Sequence, residues 1–449
     1  MSSEWQTTTL GAICDAQGGA IQTGPFGSQL HTSDYKEIGV PVVMPTNIGE
    51  GGIEEGGIAR IDQVDVERLS KHKLCIGDIV FSRRGDVTKN ALIRPHEAGW
   101  FCGTGCLKVR LGNETIANAR FISFCLRLPE IKEWLIRHAV GATMPNLNTG
   151  ILSAVPIYLP PLKAQLEIAE TLGALDDRIT LLRETNATLE AIAQALFKSW
   201  FVDFDPVRAK AEGRQPEGMN DATAALFPDS FEESELGLVP KGWSFRPIGE
   251  LVEGIYDGPH ATPAESAEGP VFLGIKNLTG TGLNLSDIRH ISENDWEQWT
   301  RRVEPRDGDI VFSYEATLGF FALIPPSVRC CLGRRLALVR PNSENGAGLF
   351  WFHQFIAAPF QRLLDKHTIH GATVNRIALK AFPSYSVLNP PESLKEAFVE
   401  SVAPLWAAIH ENQAQAQTLT QLRDTLLPRL ISGQLRLREA HQAVEKALA

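Results

Sequence analysis

Polar loops that follow short apolar runs carry the side chains of this sequence that are best suited to chemistry. Residues 22–28 (QTGPFGS) form one such loop, and Arg83 and Arg84 follow the apolar run DIVF. Asn146 and Asn148 lie in a third polar stretch. Arginine reads guanine through two hydrogen bonds, and asparagine or glutamine reads adenine in the same way. These loops therefore suit contacts with the edges of bases.

Corresponding loops occur in the second half of the chain with different side chains. Residues 256–262 (YDGPHAT) take the place of residues 22–28, and residues 313–317 (SYEAT) take the place of SRRG. Two DNA-binding modules with different target sequences are expected to share a framework and to differ in the side chains of their loops. For any single residue, a role in a turn or at the surface is an equal alternative. The predicted DNA-contacting side chains are Gln22, Ser28, Arg83, Arg84, Lys89, Thr143, Asn146, Asn148, His260, Thr262, Lys276, Tyr314, Thr317, Arg334, Arg335, Thr373, Asn375 and Arg376.

Motifs that mark catalysis are missing from the sequence. It contains no GxxxxGK[ST] phosphate loop, no HExxH, no GxSxG, and no GxGxxG that opens a helix after a strand. The seven cysteines are irregularly spaced and do not indicate a disulfide framework. Cys102 and Cys106 have near-ligand spacing, but no second pair completes a zinc site, so we expect ordinary buried thiols. The sequence predicts no catalytic residue and no metal site.

The elements that must position these loops occur twice. The string GDIVFS lies at residues 77–82 and again at 308–313, an offset of 231. Residues 141–161 align without a gap with residues 371–391, an offset of 230, and GTGCLKVR faces GRRLALVR at the same offset. A nearly constant offset over most of the sequence predicts two copies of one unit.

Each copy predicts a loop-rich module that mixes helices and strands. Apolar runs broken by glycine and proline, such as VPVVMP, LKVRL and RLALVR, indicate strands. Helices are predicted at 117–137 and 347–366, and a Pro-Pro pair ends each module. The predicted fold class is α/β, or α+β.

A long helix with heptad order follows each Pro-Pro pair. Apolar residues alternate every three and four positions, as in a coiled-coil seam, and one asparagine in each seam is a usual means of fixing register. The alternative is an amphipathic helix packed on its own domain, but some 40 residues at about 1.5 Å each would extend roughly 60 Å. The predicted seam residues are Leu175, Ile179, Leu182, Asn186, Leu189 and Leu196 in the first helix and Leu405, Ile409, Asn412, Leu419 and Leu426 in the second.

One residue and two segments depart from the heptad pattern of the long helices. Pro404 predicts a kink in the second helix or a delayed start. Residues 205–240 are rich in Pro, Gly, Asp and Glu, which predicts a partly ordered linker. Residues 437–449 predict an amphipathic tail at best.

The charge distribution excludes a uniformly basic nucleic-acid binder. The net charge is -10, but residues 1–160 carry 15 basic and 16 acidic groups, and residues 213–240 carry one basic and six acidic groups. Near-neutral domains can still present local basic faces. The sequence has no apolar run of about 18 residues and no visible leader, so we expect a cytoplasmic location.

Taken together and in this order, the motifs resemble the specificity (S) subunit of type I restriction-modification enzymes over nearly the whole sequence. The motifs that carry the resemblance are TGPFGSQLHTSDY (23–35), GDIVFSRRG (77–85), GATMPNLN (141–148), LPPLKAQLEIAETLGALDDRI (159–179), LFKSWFVDFDPV (196–207), FPDSFEESELGLVPKGW (227–243), YDGPHATP (256–263) and LRDTLLPRLISGQL (422–435). Glu315 departs from the expectation of a base-reading residue in its loop.

The resemblance implies two target-recognition domains separated by two long helices that form an antiparallel coiled coil. The implied boundaries are recognition domains at 1–160 and 241–391, a central spacer helix at 161–204, an acidic linker at 205–240, a C-terminal helix at 392–436 and a tail at 437–449. Each domain would bind one half of a bipartite double-stranded DNA site. The helices would dock two methylation (M) subunits that carry S-adenosylmethionine, and restriction (R) subunits would add ATP and Mg²⁺. The chain itself would need no cofactor and contact no membrane.

Two other functions stay open at the level of sequence. One is a fused methyltransferase-nuclease with degenerate motifs, which would bind S-adenosylmethionine without partners. The other is a two-headed scaffold or RNA-binding protein that dimerises through its helices and ignores duplex DNA.

Overall fold

The computed structural model describes residues 5–49, 52–141, 143–234, 237–285, 287–342 and 347–448. The chain divides into a first unit of residues 1–184 with 413–449 and a second unit of residues 185–412. Both divisions fall inside the two long helices. Each unit therefore combines one copy of the sequence repeat with a part of each long helix.

One antiparallel sheet recurs in both units with the same strand order. In the first unit the order is Gly18–Thr23, Cys106–Gly112, Ile79–Ser82 and Asn90–Leu92. In the second unit it is Val252–Asp257, Leu336–Pro341, Ile310–Ser313 and Phe321–Leu323. The repeat read from the sequence is therefore confirmed as a structural repeat.

The repeated strings GDIVF and VR meet in each unit as an ion pair whose aspartate is buried. Arg110 donates to both carboxylate oxygens of Asp78 at 2.7 and 2.6 Å, and Arg340 donates to both of Asp309 at 2.9 and 2.6 Å. Both aspartates are 1% exposed. Two-pronged pairing fixes geometry as well as charge, so each pair holds the strand that precedes a candidate loop against its neighbour.

Further short strands and helices complete each module. The remaining strands of the first unit are Gln6–Thr9, Tyr35–Lys36, Val40–Val43, Ile48–Gly49, Gly52–Ile53, Ala59–Ile61, Phe101–Cys102 and Pro156–Leu159. Those of the second are Phe231–Ser234, Gly237–Pro240, Ser244–Pro247, Ser266–Leu273, Arg289–His290, Cys330–Leu332, Thr368–Ile369, Arg376–Ile377 and Ser386–Asn389. The shorter α-helices are Leu10–Gln17, Gln63–Arg68, Ala119–Cys125, Pro129–His138, Thr149–Ser153, Asp205–Ala211, Asp221–Leu226, Trp296–Thr300, Ala347–Ile356, Ala358–His367 and Leu437–Leu448.

Proline explains why the two predicted helical stretches are each split in two. Pro129 begins the helix Pro129–His138, and the helix Ala358–His367 carries its proline in the first turn. Proline suits the first turn because the amide hydrogen that it lacks would have no partner there.

The long helices are Leu162–Phe201, here called the central helix, and Glu392–Ile431, here called the C-terminal helix. Both contain 40 residues, and their starts are 230 residues apart, as the repeat requires. Of the two effects predicted for Pro404, a delayed start of the second helix does not occur, because the helix begins at Glu392 and continues through Pro404; the kink stays a prediction. Pro404 is exposed, so water can bond the carbonyl that its missing amide leaves free.

The linker and tail are more ordered than the sequence indicated. Residues 205–240 contain two helices and the hairpin of Phe231–Ser234 with Gly237–Pro240. The tail forms the helix Leu437–Leu448, which buries Ala440 and Val444.

Each unit has its own core, to which both long helices contribute. In the first unit, Leu175, Ile179 and Leu182 of the central helix share a buried cluster with Leu419 and Leu426 of the C-terminal helix. In the second, the shared cluster consists mainly of aromatic side chains and includes Phe197, Trp200, Phe398, Trp406 and Ile409. Within the first unit, Asp176 contacts Arg423 and Arg178 contacts Gln415, so the two helices run antiparallel as predicted.

Candidate nucleic-acid interface

Backbone hydrogen bonds join the first unit's loop after Ile79–Ser82 to the loop that contains Asn146. The amide of Leu147 donates to the carbonyl of Arg83 at 2.9 Å, and the amide of Gly85 donates to the carbonyl of Pro145 at 3.2 Å. Arg84 and Asn146 form an isolated β-bridge. The structure therefore brings together predicted DNA-contacting residues that are more than 60 positions apart in the sequence.

The side chains on this joined pair of loops keep polar groups available. Arg84 and Lys89 are exposed, and no ion pair involves either of them or Arg83 in the part of the chain that the structure describes. Nε of Arg83 and Oδ1 of Asn146 are buried and make no hydrogen bond with any described residue. Because these two atoms are shielded from solvent, a ligand reaches them only if the loops rearrange, whereas the side chains of Arg84 and Lys89 are accessible as they stand.

Two other candidates in the first unit have clear positions. Thr143 is exposed, whereas Asn148 caps the helix Thr149–Ser153 by accepting from the amide of Ile151 at 2.9 Å. The Oδ1 of Asn148 therefore has a structural role, which leaves its amide nitrogen for other contacts.

The loop at residues 22–28 is held close to the sheet and ends in an exposed aromatic ring. A Cβ on Gly24 would approach the carbonyl oxygen of Gly103 to 1.9 Å, so only glycine fits there. Gln22 lies in the sheet opposite Lys108, and Ser28 is exposed. Phe26 is 58% exposed, and sequence reasoning did not single it out.

The second unit joins its loops in the same way. The amide of Ile377 donates to the carbonyl of Tyr314 at 2.8 Å, and the amide of Ala316 donates to that of Asn375 at 3.0 Å. Glu315 and Arg376 form an isolated β-bridge that matches the one between Arg84 and Asn146. The two units therefore share this feature of backbone geometry and differ in side chains.

Acidic partners contact several of the second unit's basic candidates. Asp287 accepts from Lys276 at 2.6 Å, and Glu315 lies 3.5 Å from Arg335. Asp257 contacts His260 at 3.0 Å and also pairs with Arg302. Positive charge near these loops is therefore more strongly paired here than at Arg83 and Arg84.

Tyr314 corrects one expectation for the second unit. Its side chain is only 6% exposed within the core, and burial is the main reason that its pKa is raised to about 12. The ring is therefore packed against the core and its face cannot stack on a base; the backbone of Tyr314 alone takes part in joining the loops. The exposed candidates in this unit are His260, Thr262, Lys276, Arg334, Thr373, Asn375 and Arg376, and Thr317 and Arg335 are half-buried.

The predicted seam residues lie where the two helices meet. Leu175, Ile179, Leu182, Leu419 and Leu426 are buried in the first unit. In the second, Leu189, Leu196 and Leu405 pack at the edge of the core around buried Ile409. The amide nitrogen of Asn412 donates to Oδ1 of Asn186 at 2.8 Å, and that of Asn186 donates to the carbonyl of Ile409 at 3.1 Å.

Sequence reasoning missed the polar residues that bind the central helix to the first recognition domain. Gln165 is fully buried, accepts from the amide of Asn118 and donates to the carbonyls of Ile116 and Pro160. Asp176 accepts from Arg127 at 2.6 Å and from Arg423 at 2.8 Å. These arginines hold the pKa of Asp176 below its ordinary value despite the burial that opposes them. The sequence feature that could have indicated these contacts is a glutamine and an aspartate within the stretch LPPLKAQLEIAETLGALDD.

Four further features of the described residues concern metal ligands, thiols, a cavity and membrane spans. No cluster of three or more His, Cys, Asp and Glu side chains is arranged to hold a metal ion there. Cys102 and Cys106 are buried, and burial raises the pKa of Cys102 to about 12. A cavity of about 670 Å³ in the first unit is lined by Arg94, Arg120, Arg127, Asp176 and Asp177 among others. No helix in the described ranges is long and apolar enough to cross a membrane.

Comparisons with known proteins identify relatives of this sequence. Residues 2–191 match the family described as "Type I restriction modification DNA specificity domain". The type I restriction enzyme HindI specificity subunit of Haemophilus influenzae is 25% identical, with 83% of this chain and 89% of the relative aligned. The MjaIX specificity subunit of Methanocaldococcus jannaschii is 26% identical, over 72% of this chain and 70% of the relative.

Among solved structures, the type I restriction-modification S subunit from M. genitalium has 14% sequence identity and a TM-score of 0.49, with 95% of this chain and 96% of that chain covered. The HsdS subunit from Thermoanaerobacter tengcongensis has 20% identity and a TM-score of 0.34, with 97% and 98% covered. Residues 2–191 therefore carry the DNA specificity domain of type I restriction-modification enzymes, and the chain is similar to curated specificity subunits of these enzymes over 72% to 83% of its length.

Proposed function

We propose that each unit reads one half of a bipartite double-stranded DNA site through its joined pair of loops. The observation that carries the proposal is that the same two backbone hydrogen-bonded loops occur in both units, with different side chains on each. Phosphate contacts position a protein on DNA, whereas side chains that reach base edges read the sequence. Two copies of one framework with different loop chemistry therefore fit two different half-sites.

The two joined loop pairs suit different base chemistry. Arg83, Arg84 and Asn146 offer donors for guanine and paired donor and acceptor groups for adenine. The second unit offers Asn375 and Arg376, with Glu315 beside them, and a carboxylate accepts from the amino group of cytosine. The sequence analysis treated Glu315 as a departure from the expected base-reading residue. Its carboxylate is nevertheless a candidate for base contact if the ion pair with Arg335 breaks.

As a specificity subunit, the chain is the non-catalytic component of a restriction-modification complex. We propose that its partners are two adenine-specific methylation subunits, which bring S-adenosylmethionine, and restriction subunits, which use ATP and Mg²⁺. The long helices are the proposed docking surface for the methylation subunits. No cofactor is proposed for this chain.

The experiment is a genome-wide map of methylated adenine in the source cells with and without this gene. We expect one bipartite motif to lose methylation when the gene is removed, and a plasmid copy to restore it. An expressed, partner-bound chain whose removal leaves every methylated motif unchanged would contradict the proposal. Affinity purification of the tagged chain followed by mass spectrometry establishes in the same cells whether a methyltransferase is bound.

A further inference from the structure

The seam between the central and C-terminal helices contains an ionic layer in the first unit. Asp176 and Arg423 are each 10% exposed at their side chains and are joined at 2.8 Å. Arg127 of the recognition domain completes the layer by donating to the second carboxylate oxygen of Asp176 at 2.6 Å. A carboxylate buried this deeply requires such partners.

The equivalent layer of the second unit contains no charge. The offset of 230 that relates the helices places Trp406 at the position of Asp176, Ala193 at that of Arg423 and Ala357 at that of Arg127. Ala193 is fully buried and Trp406 is 7% exposed, both in one apolar cluster. The indole nitrogen of Trp406 donates to Nε2 of His353 at 3.1 Å. One layer is thus ionic, and its counterpart is aromatic.

A second layer of the seam is polar in the second unit and apolar in the first. In the second unit, Asn186 and Asn412 form a side-chain hydrogen bond at 2.8 Å. The equivalent positions in the first unit are Ala416 and Leu182, which are 9% and 4% exposed in the apolar core. The polar layer here belongs to the second unit and the apolar one to the first.

These differences make each helix a poor partner for a copy of itself. If the central helix of a second molecule replaced the C-terminal helix in the first unit, Asp176 would face Ala193 and Leu182 would face Asn186. If two C-terminal helices paired in the second unit, Trp406 would face Arg423, and Asn412 would face Ala416. In the first mismatch Asp176 keeps Arg127 but loses Arg423, and Asn186 loses Asn412; in the second Arg423 keeps Asp424 but loses Asp176, and Asn412 loses Asn186. Each mismatch therefore removes a hydrogen-bond partner from buried polar groups that the native pairing satisfies.

We propose that these two layers determine pairing specificity: they select the C-terminal helix as the partner of the central helix and reject a second copy of either half of the chain. Discrimination of this kind needs unpaired polar groups in the wrong complex as well as good contacts in the right one. The proposal concerns association between copies of this chain and does not depend on the DNA-reading function.

The test uses the full chain with a protease site inserted after Gly213, which lies in an exposed stretch between the helices Asp205–Ala211 and Asp221–Leu226. The folded protein is cleaved once, unfolded in urea, refolded by dilution, and analysed by native mass spectrometry. We expect pairs of unlike halves, with pairs of like halves at roughly a tenth of their abundance or less. Like and unlike pairs in statistical proportion would overturn the proposal.

Two reciprocal variants should reverse the preference. N186A/A193R gives the central helix the residues that the C-terminal helix carries at 416 and 423, so pairs of N-terminal halves should rise about tenfold or more. A416N/R423A does the converse and should raise pairs of C-terminal halves. T185A/Q194R places similar changes at exposed neighbouring positions and should leave the distribution unchanged. If either reciprocal variant refolds without a rise in like pairs, these layers do not determine pairing.

Discussion

Arg83 and Arg84 are the residues at which DNA recognition can be tested most directly. R83A/R84A removes two cations that make no ion pair among the described residues, so the fold should not depend on them. Because a base or phosphate contact by arginine contributes about 1–3 kcal/mol, we expect DNA affinity of the assembled complex to fall about 10- to 100-fold. Fluorescence anisotropy with a duplex that contains the mapped site measures this change.

A matched control comes from a surface arginine with a partner of its own. R137A removes a side chain that pairs with Glu133 on an exposed helix face, and it should leave DNA affinity unchanged. If R83A/R84A instead prevented assembly with the methylation subunits, the assignment of reading to the loops and docking to the helices would be wrong.

His353 predicts how the second unit responds to acid. Burial lowers its pKa to about 3, and its Nε2 accepts the indole hydrogen of Trp406, so the ring is neutral in the folded state. The folded pKa lies below the unfolded value of 6.5, so this residue contributes stability near neutral pH that is lost as the pH falls from about 6.5 towards 3. The contribution should decrease by about 2 kcal/mol between pH 7 and pH 5.

H353Q isolates this effect because glutamine can accept from Trp406 without titrating. Urea unfolding followed by tryptophan fluorescence at pH 7 and pH 5 should show a smaller loss of stability for the variant. An equal loss of unfolding free energy in both proteins would show that His353 does not gain a proton on unfolding at pH 5.

At the scale of elements, the paired asparagines give the long helices a polar contact whose loss can be measured. N412L leaves Oδ1 of Asn186 buried without its donor, which should destabilise the second unit by about 1–3 kcal/mol. Replacing both residues in N186L/N412L removes the unpaired group and should recover most of that loss. Chemical unfolding of the two variants measures the difference, and a single variant as stable as the double would refute the assigned role.

The long helices also show what heptad reading can and cannot predict. Heptad spacing predicted the two paired helices correctly because apolar spacing along a helix is a local property. It missed Asp176 and Gln165, whose partners Arg127 and Asn118 lie elsewhere in the sequence. Its alternative of a delayed start at Pro404 is excluded by the continuous helix, because a proline's effect depends on whether the freed carbonyl can bond water, which spacing does not reveal.

For the whole molecule, net charge predicts weak DNA binding by the isolated chain. With a charge of -10, we expect the chain alone to bind a random duplex no more tightly than about 1 µM at physiological salt. Addition of the methylation subunits should increase affinity and steepen its salt dependence, because more phosphate contacts release more counterions. Titrations at several salt concentrations test this, and nanomolar binding by the isolated chain would refute it.

The repeat made most of the architecture predictable, since two copies at one offset fix the order of modules and helices. The loops were predictable only as segments. Sequence indicated that residues 83–85 and 143–148 mattered, but not that their backbones bond to each other. Tyr314 illustrates the limit, because its place in a polar loop concealed a ring that the core buries.

The division of the chain has a consequence for its biosynthesis. The first unit takes residues 413–449 from the far end of the sequence, and its core cluster includes Leu419 and Leu426. A ribosome that adds about 5–20 residues per second needs more than roughly ten seconds to make the intervening segment. During that time Leu175, Ile179 and Leu182 have no native cover from the C-terminal helix. We therefore expect the nascent N-terminal half to expose these side chains to chaperones until residues 413–431 have been synthesised.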